Sequence, residues 1–65
     1  MKARVYERSV EGQVIQVVEL CPPKEFQHLL ADSLRESGFN VEGPYGRNDL
    51  PDEEAGQVNI LPPGF

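Results

Sequence analysis

Cysteine and histidine each occur once in this 65-residue chain, at Cys21 and His28, and tryptophan is absent. A single cysteine excludes an intrachain disulfide. One cysteine and one histidine also fall short of the four thiolate and imidazole ligands of a structural zinc site, so the sequence implies neither metal nor cofactor. A lone thiol fits a reducing compartment better than a disulfide scaffold. No apolar run approaches the length of a membrane span, and Arg4, Glu7 and Arg8 interrupt any stretch resembling a secretory leader. The expectation is a cytoplasmic protein without membrane contact.

Basic residues are also scarce. Six Lys and Arg stand against eleven Asp and Glu, a formal charge of −5. The imbalance is concentrated after residue 24: residues 1–24 carry a net +1 and residues 25–65 a net −6. Phosphate backbones repel such a surface, which argues against direct nucleic-acid binding. A basic protein partner suits it.

Catalytic constellations are absent as well. His28 has no hydroxyl or thiol nearby in sequence to activate. Cys21 precedes a helix, where the dipole lowers thiol pKa, but it also ends an apolar strand and has no second thiol to resolve an oxidised form. A redox or catalytic role centred on Cys21 is the least favoured reading. Asp49, Asp52, Glu53 and Glu54 lack the alternate spacing and glycine turn of a calcium loop.

The chain does carry clear periodicity. Phe26, Leu29, Leu30, Ser33, Leu34 and Ser37 follow the i, i+3, i+4, i+7 pattern of an amphipathic helix, which Pro23 begins and Gly38 ends. Residues 3–9 and 13–21 alternate and are rich in strand formers. Between them, Ser9-Val10-Glu11-Gly12 suggests a three-residue hairpin loop with a bulge, pairing Ser9 with Gln13 and Val5 with Val17. The alternative two-residue turn over Glu11-Gly12 pairs Tyr6 with Val17 and Arg4 with Glu19. It needs Glu11 at positive φ, a costly conformation, and is the less favoured register.

Phe39–Glu42 reads as a third strand, parallel to the second and lying beside the first. Residues 43–56 read as an acidic Gly/Pro loop, 57–61 as a weaker edge strand and 62–65 as an extended Pro-rich tail. The whole is one domain over residues 1–65. Residues 1–42 form its hairpin–helix–strand core, an α+β fold of β-β-α-β(-β) type with one helix on a mostly antiparallel sheet of three or four strands.

A chain of this length buries only about 60% of the surface its unfolded form exposes, so association is the available stabiliser. Under the bulged register, Tyr6, Val14, Val18 and Leu20 form a second apolar hairpin face suited to a homodimer. Tyr45 and Arg47, residue types enriched at interface centres, precede Asp49, Asp52, Glu53 and Glu54, making this loop the candidate partner-binding element. The expected function is a non-enzymatic protein–protein interaction module. One form is an acidic inhibitor or adaptor for a basic surface, similar in composition to small phage- or plasmid-encoded antagonists of nucleic-acid enzymes. The alternative is an accessory subunit stabilised within a larger complex.

Overall fold

The computed structural model describes all residues 1–65. Strands β1 (Lys2–Val10) and β2 (Gln13–Cys21) form a hairpin whose turn is Glu11-Gly12 alone. Glu11 has φ 51° and Gly12 φ 81°, the pair of positive values that a type I′ turn requires. The two-residue register therefore replaces the bulged one: Tyr6 faces Val17, Arg4 faces Glu19 and Val5 faces Val18. A left-handed glutamate costs about 1 kcal/mol. The bulged register would set Arg4 beside Val18 and Lys2 beside Leu20. The observed one opposes Arg4 to Glu19 and keeps Val5–Val18 and Ala3–Leu20 as apolar pairs, and cross-strand pairs of this kind outweigh the turn.

After the hairpin come a 3₁₀ turn (Lys24–Phe26), helix α1 (Gln27–Glu36), β3 (Asn40–Gly46), a second 3₁₀ turn (Asp52–Glu54) and β4 (Gly56–Leu61). The sheet order is β1-β2-β4-β3, with every neighbouring pair antiparallel. This is the expected small α+β domain, with one helix against a four-stranded sheet. Two placements differ from expectation. β3 runs in the direction of β2 but lies at the far edge rather than beside β1, and β4 is a central strand rather than an edge. β4 suits the centre because both its faces have partners: Val58 and Ile60 meet Leu20 and Val18, while Gln57 and Asn59 hydrogen-bond on the other side.

The acidic loop is shorter than residues 43–56. β3 continues through an irregularity between Glu42 and Tyr45 as far as Gly46, leaving residues 47–55 as the connection. The tail is not extended either: the Phe65 amide donates to the Pro62 carbonyl, closing a turn with Gly64 at φ 88°.

Helix α1 ends in the expected Schellman motif, with Phe39 N–H donating to Leu34 O and Gly38 N–H to Arg35 O. Its orientation is the surprise. Phe26 and Leu29, placed in the buried stripe by periodicity, are 50% and 66% exposed, whereas Ala31 is wholly buried. The inward stripe is Gln27, Leu30, Ala31 and Leu34, which are half-buried or buried. Gly56 explains the rotation. Its N–H donates to Pro22 O at 3.0 Å, and a Cβ there would stand 2.8 Å from Gln27 Cβ and 2.9 Å from Pro22 O. The helix entry thus packs directly on the start of β4. Arg35 donates to Gly43 O at 2.6 Å, tying the helix to β3. α1 consequently covers the β3–β4 half of the sheet.

Two outcomes follow. Glu11→Asn, which tolerates the left-handed region and matches the type I′ preference, is expected to raise the thermal midpoint by about 4 °C in a calorimetric scan. Gly56→Ala is expected to lower stability by about 2 kcal/mol through overpacking, measured by urea denaturation.

Candidate functional site

Alternation along the strands sends two very different sets of side chains to the two sheet faces. On the face away from α1, a polar ladder crosses all four strands. Arg4 of β1 donates to Glu19 of β2 at 2.8 Å, and Gln57 of β4 donates to Glu19 at 3.1 Å. Asn59 of β4 donates to Glu42 of β3 at 2.9 Å. Arg8 of β1 grips the same Glu42 with two bonds of 2.9 Å and donates to Tyr6 Oη at 2.7 Å. The guanidiniums of Arg4 and Arg8 also lie over the Tyr6 ring, 5.0 and 5.7 Å from its centroid. Beneath this layer Val17 is wholly buried and Ile15 nearly so. Tyr6 stands opposite Val17 and Arg8 opposite Ile15, so a ring and an arginine stem supply their apolar cover.

The hydrogen bond from Arg4 holds the Glu19 carboxyl below its ordinary pKa, against a smaller opposing effect of burial. Arg8, then Asn59, do the same for Glu42. Both arginines of this face are therefore spent on internal pairs. Cys21 sits at its edge with Sγ 3.8 Å from Glu19 Oε1. Burial first, and the Glu19 charge second, push the thiol upward, the opposite of what a thiolate nucleophile needs. His28 is exposed on the helix.

The 45–54 loop divides into two parts. Arg47 clamps Asp49 with bonds of 2.9 and 2.6 Å, which lowers the Asp49 pKa. Glu54 pairs with Lys2 at 3.1 Å, and Tyr45 belongs to β3, about half exposed. Asp52 and Glu53 are the members left without a salt bridge. They share a surface cleft with Pro23, Lys24 and Glu25, so Glu25 joins the acidic corner, a neighbour that sequence distance conceals.

The expected dimer face does not assemble as such. Tyr6 goes to the polar ladder, while Val14, Val18 and Leu20 join Ala3 and Val5 on the helix side. Val14 is set apart by the Glu7–Gln16 pair. Because α1 covers only the β3–β4 half, this side of the hairpin stays open, with Val5 61% exposed. Met1, just before β1, joins Pro22, Pro23, Phe26, Leu29, Leu30 and Ser33 in lining a shallow groove along the helix. Periodicity had assigned Phe26 and Leu29 to the core; only the helix rotation reveals them as groove wall.

No protein-family model matches this chain, and no curated protein or solved structure matches it. No helix is long and apolar enough to cross a membrane.

The polar ladder has a measurable signature. Glu19 and Glu42 have depressed folded pKa values, so their contribution is present above the unfolded glutamate value of about 4.3 and is lost as pH falls through the folded values. Glu42→Gln is expected to cost about 2 kcal/mol at pH 7, as charge-assisted bonds to Arg8 are lost. It should also flatten the decline in stability below pH 4.5, measured by denaturant titration across pH 2–7.

Proposed function

We propose that the protein is a non-enzymatic protein–protein interaction module, an acidic adaptor or inhibitor that engages a basic partner surface. One observation carries this reading: the molecule segregates its charge. Arg4 and Arg8 are consumed by Glu19 and Glu42, and Arg47 and Lys2 by Asp49 and Glu54. Asp52, Glu53 and Glu25 are left as a net acidic corner beside an apolar groove. An acidic, partly apolar surface attracts a basic partner at long range and then gains from desolvation on contact. The raised Cys21 pKa and the use of the arginines in structural pairs both weigh against a catalytic centre on the sheet.

The accessory-subunit reading also has an observation in its favour. Only Ile15, Val17, Ala31, Ala55 and Val58 form the buried apolar core, a small reserve for independent stability.

The test is affinity capture from cell extract at low and high salt. With Asp49 and Glu54 already neutralised internally, Asp52→Asn with Glu53→Gln should weaken capture as much as neutralising all four carboxylates. A partner retained equally by wild type and double variant at low salt would count against acidic recognition and favour the accessory-subunit reading.

A further inference from the structure

We propose that the outer half of the β1–β2 hairpin, residues 7–16, is a hinged flap held shut by one latch, the Arg8–Glu42 pair. This device is independent of the interaction-module reading. The register defines the flap. β4 pairs with β2 only at Val18, Glu19 and Leu20, whereas β1 pairs with β2 all the way from Lys2–Cys21 to Val10–Gln13. β4 cannot follow β2 further, because Pro62 and Pro63 succeed Leu61 and the chain turns there. Residues 7–16 therefore form a two-stranded ribbon with no third strand beside it. Such a ribbon is marginal on its own in water. The helix side gives it no lid: Val14 is 67% exposed, and Glu7, Ser9 and Gln16 are exposed as well.

One side chain ties this ribbon to the rest of the fold. Among residues 7–16, only Arg8 makes a side-chain hydrogen bond or salt bridge, and no backbone bond outside the strand ladders involves them. Its two 2.9 Å bonds go to Glu42 on β3. β1 and β3 are the two edge strands, and in a flat sheet their axes would stand about 14 Å apart. The pair thus spans β2 and β4 and draws the edges together over the polar face. Both side chains are about 30% exposed, so the fork holds more firmly than an open surface pair. Asn59 of β4, itself 2% exposed, donates to Glu42 at 2.9 Å, which fixes the receiving half of the latch to the body. Ile15, opposite Arg8, is the one buried residue of the ribbon. The hinge falls where β4 pairing stops, between Val17 and Val18 of β2 and opposite Tyr6 and Val5. Opening there bares Ile15 and parts the Arg8 cation from the Glu42 carboxylate. The closed and open forms therefore differ in both apolar surface and displayed charge.

The experiment is native-state amide hydrogen exchange of the full chain, followed by NMR at several sub-denaturing urea concentrations. In the alternation of an antiparallel ladder closed by a two-residue turn, Arg8 and Ile15 exchange hydrogen bonds with each other and report the flap. Val58 on β4 and Leu34 on α1 report the body. Corrected for intrinsic rates, Arg8 and Ile15 are expected to exchange at least about tenfold faster than Val58 and Leu34 in the wild type. Their urea dependence should be weaker, because a smaller surface opens. Glu42→Gln should speed Arg8 and Ile15 by at least about tenfold. Arg8→Lys, which keeps the charge without the fork, should speed Ile15 by less. Gly56→Ala is the control, since it strains α1–β4 packing that the open flap retains. It should speed Val58 and Leu34 while leaving Arg8 and Ile15 within about twofold of wild type.

One common opening for all four amides in the wild type would overturn the flap, a comparison that stands even where Glu42→Gln fails to fold. Acceleration of Arg8 and Ile15 by Gly56→Ala to the same degree as Val58 would overturn it too, as would a folded Glu42→Gln protein with unchanged exchange at both.

Discussion

The pairing of Arg4 with Glu19 across the hairpin is the constraint on which the other features depend. It exists only in the register set by a two-residue turn, and that register decides the face of every residue from Lys2 to Cys21. Once Glu19 is on the polar face, Gln57 can bond it, and Asn59 on the same side of β4 bonds Glu42. Arg8 then closes the ladder from β1. A slip of one residue would bury arginine against Val18 and leave Glu19 without its cation. The strained Glu11 is the local cost of this arrangement.

The ladder also explains an unusual division of labour. The helix covers half of one face, and the opposite face is closed by side chains of its own strands, with Tyr6 opposite Val17 and Arg8 opposite Ile15. A sheet covered in this way needs no second layer on that side. It does not protect the helix-side surface of the hairpin, where Val5 and the groove wall remain open. The edges are better guarded. β3 has Arg35 on its carbonyls and Pro44 within it, and β1 carries Lys2, Arg4 and Arg8, a common defence against edge-to-edge pairing. The most apolar exposed surface therefore lies on the face of the hairpin, not along a sheet edge.

Charge follows the same partition. All six basic side chains are held by acceptors within the fold: Lys2, Arg4, Arg8, Arg35 and Arg47 by carboxylates or carbonyls, and Lys24 more weakly by the Asn48 amide. Carboxylates outnumber these cations, and part of the surplus gathers at the corner formed by Glu25, Asp52 and Glu53. Composition predicts that an acidic surplus exists. Its location is a product of which pairs the fold happens to close.

Local sequence by itself determined the element types, the helix stop at Gly38, the strand character of both hairpin arms and the acidic balance. These depend on period, on glycine and proline, and on counting, all of which act between near neighbours. Tertiary structure alone decided the hairpin register, the central place of β4, the rotation of α1 and hence the open groove. Each of these hinges on a partner distant in sequence: Glu19 for Arg4, Glu42 for Arg8 and Asn59, and Gln27 and Pro22 for Gly56. Turn propensity ranked the wrong register first because it weighs the roughly 1 kcal/mol cost of Glu11 and cannot see the ladder that offsets it. The helical period was right, but a stripe that holds both Phe26–Leu29 and Leu30–Leu34 fits two rotations, and only the close approach of Gly56 to the helix entry selects between them.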